Sequence, residues 1–139
     1  MNGQIKTLLG FDYGTKRIGV AVGQALTQTA TPLETVAVKN TGPDWDSIAR
    51  LIIAWQPSTL VVGMPYNMDG SENGMTHAAR RFGEQLKERH KIPVHMVDER
   101  LSSHAAQQLT DKRQDIDKIA AQLILQTWLQ HAPREETAL

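Results

Sequence analysis

The 139-residue sequence has no cysteine, no net charge and no long apolar run. The lack of cysteine excludes disulfide bonds and metal sites built from thiolates. No apolar run is long enough to span a bilayer, and the first six residues lack the pattern of a signal peptide, so we expect a cytoplasmic protein without membrane contact. The balance of 15 basic and 15 acidic residues counts against a protein that coats nucleic acid non-specifically.

The remaining composition is that of an ordinary globular domain. Hydrophobic residues make up 40% and charged residues 22% of the chain, and the length suits one domain with its own core. We find no internal repeat, low-complexity stretch or interdomain linker. We therefore predict a single domain over residues 1–139.

Hydrophobic periodicity predicts strands at residues 5–11, 17–24, 28–38, 59–64 and 93–98. Helices are expected between Gly42-Pro43-Asp44 and Pro57, and near residues 74–90, 102–110 and 115–131. The first three strands should form an antiparallel meander, whereas the fourth and fifth follow helices and should lie parallel to the first. This order predicts an α/β fold, a five-stranded mixed sheet flanked by helices, as in the ribonuclease H-like fold.

The pattern also predicts which large side chains are buried. The last helix is expected to bury one apolar stripe, made of Ile116, Ile119, Ala120, Leu123, Ile124 and Trp128. The two other tryptophans, Trp45 and Trp55, are likewise predicted to belong to the core rather than to a stacking surface.

Three carboxylates lie at the ends of apolar segments. Asp12 closes the first strand, Glu99 follows the fifth strand, and Asp117 opens the last helix. A carboxylate at the end of a buried strand is costly unless a positive charge compensates it, and Mg²⁺ or Mn²⁺ prefers such oxygen ligands. If the fold brings them together, these acids are candidate catalytic and metal-binding residues for one or two ions that support phosphodiester hydrolysis.

Residues beside these acids are candidate substrate contacts. Gly14 permits a tight turn after Asp12, and its backbone N–H can approach a phosphate. The Thr15 hydroxyl can donate to a phosphate oxygen, and the cations of Lys16, Arg17 and Arg100 can balance substrate charge. Asn67 follows the fourth strand at the edge where open sheets bind ligands. Two structural alternatives stay open: Asn67 bonding its own loop, and a local ion pair within Asp98-Glu99-Arg100.

Three motifs carry a resemblance to a known family. They are Phe11–Ala21 (FDYGTKRIGVA), Val62–Ser71 (VGMPYNMDGS) and Asp98–Ser103 (DERLSS). In this order and spacing they resemble the YqgF family, also called RuvX, of ribonuclease H-like nucleases, over about residues 5–130. The resemblance implies a nuclease that matures the 5′ end of the small-subunit ribosomal RNA from its 16S precursor, and a homologue of Holliday junction resolvases.

The same resemblance maps the family's acids onto Asp12, Glu99 and Asp117. One departure concerns the segment before Asp117. Family members usually carry a longer basic stretch there, whereas this chain has only Lys112 and Arg113. These two cations are candidate substrate contacts. The departure bears on how strongly this segment binds the substrate. Asp115 is an alternative third acid.

Competing functions follow from the same residues. A resolvase acting on branched DNA requires a two-fold dimer, whereas an rRNA nuclease can act as a monomer. Asp12–Thr15 also resembles the phosphate loop of actin and sugar kinases, but this chain has no second such loop. A non-catalytic nucleic-acid-binding module is the third hypothesis. We expect precursor rRNA or branched DNA as the partner, with recruitment by a ribosomal protein or processing factor.

Overall fold

The computed structural model describes residues 6–101 and 113–131. The strands are β1 (Thr7–Tyr13), β2 (Arg17–Gln24), β3 (Thr29–Lys39), β4 (Gly42–Pro43), β5 (Thr59–Met64) and β6 (Val94–Asp98). The helices are α1 (Trp45–Trp55), α2 (Gly74–His90) and α3 (Arg113–His131), and a 3₁₀ turn covers Glu99–Leu101. The helix predicted near residues 102–110 lies outside the described residues.

The strands form one mixed sheet in the order β4-β3-β2-β1-β5-β6. β1, β2 and β3 are antiparallel neighbours, and β5 and β6 run parallel to β1. The predicted α/β architecture is therefore confirmed, with six strands in place of five. The sixth is the two-residue β4, which pairs with Val38 and Lys39. The first helix had been expected to open at Gly42-Pro43-Asp44. Gly42 and Pro43 instead extend the sheet.

Local signals define the ends of α1. The side chain of Asp44 caps its first turn by accepting a hydrogen bond from the Ser47 backbone N–H at 3.3 Å. Gln56 adopts a left-handed conformation with φ of 47° directly before Pro57. The helix therefore ends where a proline follows and cannot extend it.

The sheet separates two cores, because successive side chains of a strand point to opposite faces. The core beneath α1 and α2 includes Leu9, Phe11, Ile48, Phe82 and Leu86. The core beneath α3 includes Leu8, Val61, Ile124, Leu125 and Leu129. Trp45 and Trp128 pack against these cores, but Trp55 is 39% exposed, so its predicted core position was wrong.

The predicted stripe of α3 is only partly correct. The buried residues are Ala121, Ile124, Leu125 and Leu129, whereas Ile116, Ile119, Ala120 and Leu123 are half-buried. This helix is apolar around most of its circumference, so periodicity alone does not select the packed face. The sheet selects it instead, because a Cβ added to Gly10 would lie 2.9 Å from the Cβ of Leu125.

No helix in the part of the chain that the structure describes is long and apolar enough to cross a membrane.

Candidate active site

Asp12 lies inside the sheet at the carboxyl end of β1. It belongs to the strand and pairs with Gly19 of β2, so the turn begins only after Tyr13, later than predicted. Leu9 and Phe11 point into the core beneath α1 and α2. Strand alternation therefore places Asp12 on the opposite face, beneath α3.

Glu99 reaches the same edge from β6. β1, β5 and β6 are parallel, so their carboxyl ends lie side by side, and Glu99 directly follows the last residue of β6. Its side chain passes over β5, because a Cβ added to Gly63 would lie 3.1 Å from Oε2 of Glu99. The carboxyl groups of Glu99 and Asp12 share a hydrogen bond across this strand.

Asp117 is brought to the same place by a close contact between α3 and β2. A Cβ added to Gly19 would overlap the backbone carbonyl oxygen of Asp117. Gly19 is the residue of β2 that pairs with Asp12, so the start of α3 rests against the strand pair that holds Asp12. A glycine inside a strand often marks such a close backbone approach. This signal was present in the sequence, but its meaning for Asp117 was missed.

Desolvation is the main influence on the pKa of Asp12. Desolvation raises the pKa of the Asp12 carboxyl well above its ordinary value, and the hydrogen bond from Asp12 to Glu99 raises it further. The negative charges of Glu99 and Asp117 act in the same direction. The raised pKa of Asp12 therefore follows from its desolvation and from the two acidic neighbours that the fold brings beside it.

Asp117 has a cationic partner on its other side. The Nε of Arg17 donates a hydrogen bond to Oδ2 of Asp117 at 2.9 Å, with 29% and 23% of the two side chains exposed. Arg17 was predicted as a substrate contact, and the structure places it directly on the third acid. One carboxylate oxygen of Asp117 is thus already occupied.

The donor set suits a hard divalent cation, because it consists only of carboxylate oxygens. Within residues 6–101 and 113–131, however, no three acidic or histidine side chains are gathered closely enough to enclose an ion as they stand. In this conformation Asp12 and Glu99 share a hydrogen bond, while Asp117 pairs with Arg17.

The hairpin turn after Asp12 carries the other predicted contacts. A Cβ on Gly14 would lie 2.6 Å from the carbonyl oxygen of Arg17, so the tight turn requires glycine for lack of space. Thr15 and Lys16 are exposed at the tip of this turn. The Lys16 carbonyl accepts a hydrogen bond from the Val38 N–H at 3.0 Å, which ties the turn to β3.

Arg100 fastens a loop to the end of β6. Its Nη2 donates to Oδ2 of Asp98 at 2.6 Å, and its Nη1 donates to the Met68 carbonyl at 3.2 Å. The ion pair considered as an alternative therefore joins Asp98 and Arg100 and leaves Glu99 beside Asp12. The substrate contact of Arg100 stays a prediction.

Asn67 stabilises its own loop. Its Nδ2 donates to the Ser71 hydroxyl at 2.9 Å, and its Oδ1 accepts from Nδ2 of Asn73 at 2.7 Å. Asn73 in turn caps α2, so the amide of Asn67 helps to set where that helix begins. This is the structural alternative, and a substrate contact of Asn67 stays a prediction. Lys112 and the side chains of Arg113 and Asp115 lie outside what the structure describes.

Comparison with known proteins identifies the relatives of this chain. The family model described as RuvX, Holliday junction resolvase, matches residues 6–131. A protein of Saccharophagus degradans is 46% identical over 137 residues, covering 92% of this chain and 96% of its own length. One from Coxiella burnetii is 49% identical over 133 residues, covering 91% and 94%. Both carry the name "Putative pre-16S rRNA nuclease".

Solved structures give the same fold at low sequence identity. RuvC of Thermus thermophilus in complex with a Holliday junction substrate matches with a TM-score of 0.54 at 16% identity, covering 96% of this chain and 98% of that one. A second Thermus thermophilus RuvC structure matches with a TM-score of 0.52 at 12% identity, covering 88% of this chain and 93% of that one. At these identities the likeness establishes the ribonuclease H-like architecture alone.

Proposed function

The chain belongs to the RuvX family, and we propose that it is a divalent-metal-dependent nuclease that hydrolyses phosphodiester bonds of precursor 16S rRNA during maturation of its 5′ end. The observation that carries the proposal is the arrangement of Asp12, Glu99 and Asp117 at one edge of the sheet. The names of relatives at 46% and 49% identity support the substrate. Action on precursor rRNA would be consistent with a cytoplasmic location, which we include in the proposal.

We propose that Asp12, Glu99 and Asp117 hold the metal. One or two Mg²⁺ or Mn²⁺ ions bound there would supply an activated water and stabilise the leaving oxygen. Both other acids lie close enough to Asp12 for their charges to raise its pKa. A carboxyl group binds metal in its ionised form, so metal binding at Asp12 competes with protonation, which the raised pKa of this group favours. Asp12 belongs to β1 and pairs with Gly19 of β2, so its backbone is held by the sheet rather than by a loop.

The chain's own cations are placed to receive the substrate. Arg17 is half-buried beside Asp117, and Lys16 is exposed at the tip of the adjoining turn. Both can contact phosphate oxygens next to the acids, Arg17 once it leaves Asp117. The net charge of the whole chain is zero. Such a chain gains little from non-specific attraction to RNA, which is consistent with recruitment through a ribosomal protein or processing factor.

A second candidate is a resolvase that cuts branched DNA. The description of the matching family favours it. Symmetrical cutting of a four-way junction would require a two-fold dimer, so this candidate predicts a dimer in solution whereas the first does not.

The test is cleavage of two substrates side by side. A model precursor RNA spanning the 5′ end of the small-subunit rRNA and a four-way DNA junction are each incubated with Mn²⁺, with EDTA, and with the Asp12→Asn variant. The proposal expects cleavage of the RNA by the wild type in Mn²⁺ and neither in EDTA nor by the variant. Cleavage of the junction alone would establish the resolvase. Activity that persists in EDTA would overturn the metal mechanism.

A further inference from the structure

A depression of about 280 Å³ opens at the same sheet edge as the three acids, on the opposite face. Its floor is apolar and its rim is polar. Tyr13, Ala78 and Phe82 form the floor, and His77, Arg81 and Gln85 stand along the rim. Tyr13 follows Asp12 directly at the end of β1, so the depression begins one residue from the candidate active site.

The floor is built around aromatic rings. The ring of Tyr13 lies 5.0 Å from that of Phe82 at an angle of 32°, and Phe82 is itself buried. Phe82 is held in place by Phe11 and Trp45, whose ring centroids lie 5.7 and 5.6 Å away. Tyr13 is half-buried, so one side of its ring is supported and part of it faces the depression. Such a fixed ring is a platform on which a planar group can stack.

The rim presents hydrogen-bonding side chains, two of which have no partner among the described residues. His77, Arg81 and Gln85 are spaced four residues apart on α2, so they stand along one face of the helix. Within the described residues, no hydrogen bond or ion pair engages Arg81 or Gln85. His77 has only a 3.7 Å approach of its Nδ1 to Glu72.

The neighbouring Arg80 gives a contrast, because it makes two hydrogen bonds to Glu72 at 3.1 and 2.6 Å. The two adjacent arginines therefore differ in role. Arg80 fixes the start of α2, whereas the guanidinium of Arg81 is available to a ligand.

These features fit a nucleobase. A planar ring can stack on an aromatic floor while its edges receive hydrogen bonds from an arginine, a glutamine and a histidine. The volume lies just below the range of sites that hold whole drug-sized ligands, and so suits a single base whose sugar and phosphate stay outside. The rim carries a cation and no carboxylate, which favours a ligand with an anionic backbone.

We propose that this depression binds one unpaired base of the RNA substrate, next to the cleaved phosphodiester, and so helps to select the cleavage position. The inference rests on the proposed function for its substrate class. It assigns Tyr13 to stacking, and Arg81 and Gln85 to the base edge. A base held there would place its neighbouring phosphate at the sheet edge on which Asp12 lies.

The test measures binding of the model precursor RNA by fluorescence anisotropy, in the Asp12→Asn background that prevents cleavage. The RNA carries an abasic site at each unpaired position around the cleaved bond in turn. Two variants remove the depression: Tyr13→Leu, and Arg81→Gln combined with Gln85→Ala. Arg81 and Gln85 lie on the exposed surface of α2, so the double substitution leaves the core unchanged. The matched control is Lys87→Gln, which removes an exposed cation from the same helix outside the depression.

At one position the abasic site should weaken binding by about tenfold, as loss of a stacked base does. In both depression variants the intact RNA should bind about tenfold more weakly, and the abasic site should then cause no further loss. The Lys87→Gln control should keep the full abasic effect.

An abasic penalty that is unchanged in both variants, or absent at every position, would overturn the inference. Wild-type cleavage of the unmodified RNA is measured in parallel. If the RNA is cleaved while the abasic effect is unchanged, the base site fails and the proposed function stands. If no RNA is cleaved, the proposed function itself fails, and the anisotropy still decides whether a base is bound.

Discussion

The guanidinium of Arg17 donates its Nε–H to Oδ2 of Asp117 across 2.9 Å, and so joins two residues that are a hundred positions apart in the chain. Arg17 begins β2 and Asp117 lies in the first turns of α3. The ion pair places a positive charge beside one of the three acids that we propose as metal ligands. On that proposal, we expect Arg17 and the metal ion to compete for the carboxylate of Asp117.

This competition predicts the effect of Arg17→Gln on stability. Without metal, the variant should lose about 1 kcal/mol or less in free energy of unfolding, because both partners are partly exposed. Added Mg²⁺ should stabilise the variant more than the wild type, since the guanidinium no longer holds Asp117. Urea denaturation with EDTA and with Mg²⁺ measures both effects. Lys16→Gln removes a charge from the adjoining turn and controls for net charge alone. Equal stabilisation of all three proteins by Mg²⁺ would contradict the competition.

Much of this site could be predicted from the sequence because it depends on topology. The apolar run at 59–64 and the helices around it predicted that later strands lie parallel to the first, and parallel strands place Asp12 and Glu99 at one edge. The bounds of β5 and α2 were also correct, since a proline or a capping asparagine lies beside them.

What could not be predicted depends on contacts between distant segments. No local pattern pairs Arg17 with Asp117, and nothing near Arg100 indicates that it reaches the Met68 carbonyl. The packed face of α3 was missed for a related reason. Its apolar residues surround the helix, and glycines of β1 and β2, remote in sequence, decide which of them is buried.

The raised pKa of Asp12 predicts how the stability of the metal-free protein depends on pH. Between the ordinary value of 3.8 and the higher pKa of the folded state, the folded protein binds more protons at Asp12 than the unfolded chain does. Stability should therefore fall as the pH rises through this interval. Asp12→Asn removes this titration, so the variant should lose less stability over the same range.

Urea denaturation in EDTA across the acidic and neutral range makes this comparison. The carboxyl groups with lowered pKa values are present in both proteins and cancel in the difference; they are Asp44, Asp69, Glu72 and Asp98. If the free energies of unfolding of the two proteins change in parallel over the whole pH range, burial and the acidic neighbours do not raise the pKa of Asp12.

Gly19 predicts a steric test of how α3 is positioned. A Cβ at this residue overlaps the backbone carbonyl of Asp117, which cannot move without shifting the helix. Gly19→Ala should cost about 2–3 kcal/mol, at the upper end for overpacking, and should lower cleavage activity because the third acid moves. Gly83→Ala is the control, since its Cβ would meet only side-chain atoms, first the terminal methyl of Met96, and that side chain is 40% exposed and can move aside.

Thermal unfolding and RNA cleavage of both glycine variants separate the two effects. The control should lose about 1 kcal/mol or less and keep most of its activity. If Gly19→Ala were as stable and as active as the wild type, the close approach of α3 to β2 would not be what positions Asp117.

The choice of third acid is decided by a pair of variants on α3. Position 117 lies four residues before the buried Ala121 and seven before the buried Ile124, so it falls on the face that packs against the sheet. Position 115 is about 200° away from it around the helix axis. Asp117→Asn should therefore reduce cleavage at least about 100-fold, because mutation of a residue that only supports a metal ligand typically costs up to about 100-fold. Asp115→Asn should have a mild effect. Calorimetric titration with Mg²⁺ shows whether a variant has lost metal binding or substrate binding. Weak Mg²⁺ binding by Asp115→Asn, together with normal Mg²⁺ binding by Asp117→Asn, would reverse the assignment.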